Sequence, residues 1–335
     1  PPPPPTLPKA PQKNPNPARQ PPSPDNGPMS GAEPTITVPT WLTDTVTATH
    51  GEAGRQWLAA LPAKAAAHLA AWDLTLERVL DPGGSLSLIA YVHRDDLSPA
   101  VLKTGLLTPE TAHEHAALTH WAGRGAVLLL AADPAEGALL LERLHGEIPL
   151  RSLAESKAML EATSLLHRLW VELPGEHPFP ALAQRVSATA ARLAEHGGHP
   201  VATEAQALVT EALDTARALA ESADETFLLH GDFHHGNVLA ADRAPWLAID
   251  PRPAAGERAY DLARLALDRA DTLVGSPGVP AALRRRLHQL SEALDVDRDR
   301  LRGWTLFRAV DLALRSLTAD RREDAELYLE LADSL

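Results

Sequence analysis

The chain has 335 residues, 44% of them hydrophobic, enough for a large core shared between two lobes. No run approaches the roughly 18 apolar residues of a membrane span. With 31 basic and 44 acidic residues the net charge is −13, which argues against nucleic acid or an anionic membrane as partner and suits a cationic small molecule. Cysteine is absent, so disulfides and thiolate chemistry are excluded and a cytoplasmic location is expected.

Residues 1–28 hold 13 of the 30 prolines, interspersed with Asn, Gln, Lys and Ser. Such a segment buries too little apolar surface to fold and is expected to be extended or disordered. Nothing in it resembles a signal peptide, and "MSGAEP" from Met29 reads like a natural start, with the proline-rich part an upstream extension. A helix is expected over Trp57–Ala71, kinked or split at Pro62. The period then changes. "LTLERVL" and "SLSLIAYVHR" alternate about the turn "DPGG", which reads as a hairpin, and "PAVLKTG" makes a third strand. A helix over Pro109–Trp121 follows, with Thr108 as N-cap and Glu110 in its first turn. "AVLLLAAD" and "GALLLERL" complete about five strands by Leu144.

Beyond Pro149 the pattern is mostly helical, with a stripe from Met159 to Trp170 and helices expected within 180–195, 202–222, 259–272, 279–293, 298–318 and 321–333. The stripe Trp304, Phe307, Val310, Leu314 reads as core. Strands first and helices second mean an α+β fold of two lobes, not an alternating βαβ one. The lobes are expected at 29–144, binding nucleotide, and 145–335, carrying the substrate site.

One polar segment interrupts the helices: "LLHGDFHHGNVLAADRAPWLAIDPR", Leu228–Arg252. Two chemical readings compete for it. His230, His234 and His235 suggest a zinc cluster, although His234 and His235 are adjacent and no zinc-ligand spacing is present. Alternatively, H-G-D-x-H-x-x-N followed by Asp250 suits phosphoryl transfer, which needs positioning and charge neutralisation more than covalent help. Asp232 would then orient and deprotonate an acceptor hydroxyl, while Asn237 and Asp250 supply hard oxygen ligands for Mg²⁺. Gly231 and Gly236 would allow tight turns between them. His230 and His234 read as structural supports of the loop.

The segment "HGDFHHGNVLAADRAPWLAIDPRPAAGERAYDLARL" resembles the signature of the aminoglycoside phosphotransferases, and within them the streptomycin 6-kinase and hydroxyurea phosphotransferase group. The resemblance implies a protein-kinase-like fold: a small, mainly antiparallel β N-lobe with one key helix, and a larger helical C-lobe carrying the catalytic loop. It implies ATP and Mg²⁺ as cofactors. Lys103 in "PAVLKTG" would hold the ATP phosphates, and Glu114 in "HEHAALTHW" would pair with that lysine. Gly83, Gly84 and Ser85 lie where the family has its phosphate-covering loop; Glu142 and Leu144 lie where the lobe-linking chain lines the adenine. Asp261 matches a residue that braces the catalytic loop. Arg252 and Glu257 depart from the family's usual lysine and aspartate, so the loop after Asp250 is expected to differ in shape.

The expected activity is phosphorylation of an antibiotic hydroxyl, streptomycin at its 6-hydroxyl being favoured, by a monomer. Asp311 and nearby acids on the C-terminal helices are candidates to grip the acceptor's guanidinium groups in bidentate pairs. Hydroxyurea or another small metabolite is the alternative acceptor, and a non-catalytic nucleotide-binding module the alternative of another class. Deleting residues 1–28 should leave melting temperature and turnover unchanged, because the segment contributes no packed core. A fall of more than a few degrees in a thermal melt contradicts this.

Overall fold

Alternation in the first half of the chain produces one antiparallel sheet. The computed structural model describes residues 36–173, 175–196, 205–270 and 278–335, and of these 36–335 form one compact unit. The expected 1–28 extension and the ends of two expected helices, at 202–204 and 271–272, lie outside the described residues. Strands β1 (Thr75–Val79), β2 (Ser87–His93), β3 (Pro99–Gly105), β4 (Leu129–Asp133) and β5 (Ala138–Glu142) pair in the order β1-β2-β3-β5-β4. Side chains alternate across a strand, so β3 divides its residues between two faces. Ala100 and Leu102, with Leu88, Ala90, Val92 and Leu140, pack against Leu42, Val46, Trp57, Leu58, Leu61 and Ala65 of α1 (Thr40–Ala71). The opposite face carries Val101 and Lys103, with Ile89 and Leu139 in register beside Lys103.

Helix α1 is longer than expected, and its break is elsewhere. It runs through Pro62 and departs from helical geometry at Gly51, where φ is 52° and ψ −128°, a conformation open in practice only to glycine. Helix α2 (Glu114–Trp121) begins five residues later than the sequence suggested. The intervening residues are tied into turns. Thr108 Oγ1 accepts from the N–H groups of Glu110 (3.2 Å) and Thr111 (3.3 Å), and Thr111 Oγ1 donates to Leu106 O (2.8 Å). These local side-chain bonds compete with helix formation and win.

The remaining described residues are mostly helical around two small antiparallel sheets. Strand β6 (His145–Pro149), which the sequence pattern does not announce, pairs with β9 (Val238–Ala240), and β9 pairs with β10 (Trp246–Ala248). Strand β8 (Phe227–Leu229) lies between β7 (Val171–Glu172) and β11 (Ala254–Gly256). The described helices are α3 (Glu155–Leu169), α4 (Leu182–His196), α5 (Gln206–Glu221), α6 (Arg258–Ala266), α7 (Val279–Leu294), α8 (Arg298–Thr318) and α9 (Arg322–Asp333). The Trp304–Leu314 stripe of α8 is buried in the main core, as its period implies. Among the described residues no helix is long and apolar enough to cross a membrane.

Leu102 is fully buried between the sheet and α1. Leu102→Ala should therefore destabilise the protein by about 2–5 kcal/mol, the range for a leucine cavity that collapses incompletely. Equilibrium urea unfolding measures it, and a loss under about 1 kcal/mol contradicts the packing described.

Candidate active site

The polar loop is built by strands on either side and by two carboxylates beneath it. Leaving β8, the chain turns at Gly231 with φ +78°, and a Cβ there would stand 1.8 Å from Arg252 O, so glycine is required. Asp261, on α6, accepts from the backbone N–H groups of His230 (2.8 Å) and Gly231 (2.7 Å) and from Trp170 Nε1 (3.3 Å). Asp268, just past α6, accepts from the N–H (2.8 Å) and Nδ1–H (2.5 Å) of His235. The helix and the turn that follows it thereby hold the loop at two points, and the bracing expected of Asp261 is explicit.

The three histidines have separate partners. His230 accepts from Asp232 N–H at Nδ1 (3.3 Å), donates from Nε2 to Ile249 O (3.0 Å), and stacks on Trp121 with centroids 6.2 Å apart. His234 Nδ1 accepts from Gly236 N–H at 3.1 Å. Among the described residues no group of three His, Cys, Asp or Glu side chains converges as a metal site. The rings turn to different neighbours, His230 to Asp232 N–H and Ile249 O, His234 to Gly236 N–H and His235 to Asp268, and leave the zinc reading without a geometry among the described residues.

Hairpin register brings the two proposed magnesium ligands together. Val238 pairs with Ala248, and Ile249 N–H donates to Asn237 O at 2.9 Å, so Asn237 and Asp250 emerge from the same end of β9–β10. Asn237 Nδ2 donates to Asp232 O at 3.0 Å, which leaves Oδ1 available. Asp250 adopts φ +57°, rare for a residue other than glycine, and its carboxylate bonds Lys103 Nζ. Lys103 also donates to both oxygens of Glu114, at 2.6 and 2.7 Å. Burial disfavours the lysine's charge, but the Asp250 and Glu114 carboxylates outweigh it and raise its pKa. Burial pushes the Glu114 carboxyl up to about 7, against the pull of Lys103. The Asn237 amide oxygen and the Asp250 carboxylate are hard, adjacent oxygen donors, a set that fits Mg²⁺.

These groups border a cleft of about 460 Å³, within the usual size for small-molecule sites. Gly83, Gly84, Ser85, Lys103, Glu142, Leu144, Asp232, Asn237 and Asp250 all line it, so the sequence-derived candidates other than Glu114 and Asp311 meet at one opening. Glu114 is reached through its bond to Lys103. Glu142 has a prior commitment: its carboxylate accepts from Leu128 N–H (2.7 Å) and from Arg243 Nε (2.9 Å) and Nη2 (2.7 Å). Arg243, on the β9–β10 turn, also donates to Gly123 O (2.7 Å) and Ala126 O (2.6 Å).

The environment of Asp232 was not foreseen. Arg264 Nε lies 3.1 Å, Arg252 Nε 3.6 Å and Arg308 Nη2 3.7 Å from its carboxylate oxygens. Burial opposes ionisation, yet Arg252, Arg264 and Arg308 outweigh it and hold the carboxyl well below the usual range. Nearby, Glu110 receives both nitrogens of the Arg315 fork (3.0 and 2.6 Å), with Arg192 and Arg252 each at 3.4 Å. The expected role of Asp311 needs correction. It is only 2% exposed, and its oxygens are taken by Thr189 Oγ1 (2.8 Å), Arg192 (2.5 Å) and Arg315 (2.9 Å). A carboxylate already saturated by internal donors does not present itself to a bound cation. The departure at Arg252 is also informative, since this side chain bridges Asp232 and Glu110. The departure at Glu257 serves the core, accepting from Trp304 Nε1 (2.5 Å) and Arg300 Nη2 (2.7 Å). One signal for the missed network was present in the sequence: Arg308, Asp311 and Arg315 recur at spacings of three and four along an otherwise apolar helix.

Solved small-molecule kinases share this architecture. The crystal structure of a thermostable mutant of aminoglycoside phosphotransferase APH(4)-Ia, in ternary complex with ADP and hygromycin B, superposes with a TM-score of 0.55 at 17% identity, over 80% of this chain and 96% of that one. A choline kinase from Streptococcus pneumoniae gives 0.55 at 12% identity, over 80% and 96%. The fold is protein-kinase-like. At the level of sequence, the family described as aminoglycoside/hydroxyurea antibiotic resistance kinase matches residues 71–319, and the chain belongs to it. Streptomycin 6-kinase of Streptomyces glaucescens is 36% identical over 83% of this chain and 90% of its own length. Hydroxyurea phosphotransferase of Kitasatospora aureofaciens is 35% identical over 88% and 83%. The protein is thus a phosphotransferase.

Glu110 supplies a test of the arginine network. Burial works against its charge, but Arg315 and Arg252 prevail and bring the carboxyl down to about 2. A carboxyl depressed by folding contributes stability above its unfolded pKa and loses it as pH falls through the folded one. Glu110→Gln should therefore cost at most about 3 kcal/mol at pH 7. The difference from the parent should shrink between about pH 5 and pH 2. Urea melts across that range check it; a pH-independent difference contradicts it.

Proposed function

We propose that the protein transfers the γ-phosphoryl group of ATP to a hydroxyl of an aminoglycoside antibiotic, with streptomycin at its 6-hydroxyl the favoured acceptor, and thereby confers resistance. The observation that carries this reading is Lys103, bonded at once to Glu114 and Asp250 in a cleft that also opens onto Asp232. Relatives named streptomycin 6-kinase support the acceptor class. The enzyme is taken to act as a monomer in the cytoplasm, with nucleotide held between lobes at 29–144 and 145–335.

In this reading the adenine lies against the apolar wall that includes Val101, Leu144 and Leu239, with the Gly83–Ser85 turn beside the phosphates. Lys103 neutralises phosphate charge. When bound, Mg²⁺ supplies further neutralisation, and Asn237 Oδ1 with the Asp250 carboxylate would hold it. Asp232 accepts a hydrogen bond from the acceptor hydroxyl and aims its oxygen at the γ-phosphorus. A bond forms from that oxygen to phosphorus as the bond from phosphorus to the ADP oxygen breaks, and the hydroxyl proton passes to Asp232. Because three arginines depress its basicity, Asp232 contributes mainly by orientation and charge, with proton transfer late.

A second acceptor class has an observation of its own. Glu110 and Asp311, in the arginine network joined to Asp232 through Arg252, are already paired with arginines. A doubly cationic acceptor must find other carboxylates or displace those arginines, whereas hydroxyurea, small and neutral, needs neither. An ADP-release assay over an antibiotic panel including both compounds, followed by ³¹P NMR of the product, decides between them. Turnover near zero with every acceptor and with water favours a non-catalytic nucleotide-binding module instead.

Asp232→Asn keeps shape and removes charge. It should lower kcat by about 10²–10⁴ while leaving the Mg·ATP Kd nearly unchanged. Asp250→Asn should lose magnesium-dependent nucleotide binding as well as turnover. Equal behaviour of the two variants in titration calorimetry and steady-state kinetics contradicts the division of roles.

A further inference from the structure

His234 has a ring N–H that nothing among the described residues uses. Its backbone is extended, with φ −151° and ψ 166°, so its side chain alternates with that of Phe233, which is fully buried. Asp232 and His234 both line the cleft, together with Asn237, Asp250 and Ser85.

The tautomer follows from one hydrogen bond. Gly236 N–H donates to His234 Nδ1 at 3.1 Å, and a backbone N–H has no other role than donor. Nδ1 is therefore the unprotonated nitrogen, and in the neutral ring the proton sits on Nε2. The position of the ring is fixed too. A Cβ built on Gly236 would lie 2.9 Å from Cε1 and 3.0 Å from Nδ1 of His234, so the ring edge rests directly on the glycine.

The neighbouring histidines differ in this respect. His230 uses both ring nitrogens, and the Nε2 of His235 is sealed in the protein without a partner. Among the described residues, none accepts a hydrogen bond from His234 Nε2, and this atom is not among the sealed ones. A rigid neutral donor thus stands at the cleft wall two residues from Asp232. It adds no further cation to the three arginines already on that carboxylate. Such fixed donors stabilise the charge of a transition state, and in phosphoryl transfer that charge is spread over the three equatorial γ-phosphoryl oxygens.

We propose that His234 is a catalytic residue whose Nε2–H hydrogen-bonds a γ-phosphoryl oxygen during transfer. The inference rests on the phosphotransferase reading above. Two variants separate this role from a structural one. In His234→Asn the amide oxygen still accepts from Gly236 N–H, but the side chain ends short of the Nε2 position. In His234→Gln the amide nitrogen reaches that position as a donor.

The full chain and both variants are titrated with Mg·ADP, with and without aluminium fluoride as a mimic of the phosphoryl group in flight, and kcat is measured with the best acceptor or with water. His234→Asn should reduce the tightening by aluminium fluoride about tenfold or more, and kcat about 10²-fold, for loss of one such donor. Mg·ADP affinity alone should stay within about twofold, and His234→Gln should recover most of the loss. Should His234→Asn keep both tightening and kcat, Nε2 does not touch the phosphoryl group. If both variants instead lose Mg·ADP affinity and melting temperature together, or fail to fold, the ring is a structural prop and the proposal is overturned. Where aluminium fluoride gives no tightening even in the parent, the split between kcat and Mg·ADP affinity decides. A parent protein that does not bind Mg·ADP at all brings down the phosphotransferase reading itself, a separate outcome.

Discussion

The Lys103 ammonium, buried between the carboxylates of Glu114 and Asp250, sets the condition that the surrounding structure meets. A charge withdrawn from water is tolerated only when it is paired and hydrogen-bonded, and removing one partner leaves the others uncompensated. Here the charged groups come from three separate elements: the central strand β3, the first turn of α2, and the second residue after β10. None of the three can be displaced without exposing a buried charge, so sheet, helix and hairpin must arrive together. In the proposed function the same cation meets the phosphate oxygens, so that folding and phosphate recognition would draw on one ion triplet.

Around Asp232 the balance is reversed, with one carboxylate among several guanidinium groups. The loop that carries it is held from below by Asp261 and Asp268, which spend their oxygens on backbone N–H groups and leave the upper surface of the loop to side chains. An aspartate so placed is a poor base and a well-fixed acceptor of hydrogen bonds. Chemistry that needs orientation more than proton abstraction is the chemistry such a site suits.

What was legible in the sequence was local. The H-G-D-x-H-x-x-N segment and the following I-D-P lie within one short stretch, where spacing constrains geometry, and the strands of the main sheet announce themselves by alternation. Features set by distant partners were not legible. Glu110 looks like an ordinary first-turn acid, and only folding brings it against Arg315, 205 residues away. Asp311 looked available because its neighbours Arg308 and Arg315 could not be placed relative to Thr189 and Arg192 on another helix. Two local errors have local causes. The break in α1 follows from a glycine with an accessible left-handed φ instead of the more conspicuous proline, and the late start of α2 follows from hydroxyl bonds of Thr108 and Thr111.

Arg243 has a mechanical consequence. A single planar cation on the β9–β10 turn joins the last residue of β5 to the carbonyls of the α2–β4 connection, with five donor–acceptor contacts inside 3 Å. A guanidinium fork resists translation of what it clamps but tolerates small tilts about its own plane. The hairpin that brings Asn237 and Asp250 together is thereby pinned to the end of the main sheet at the Glu142 side of the cleft, and loss of this one side chain would release all five contacts at once.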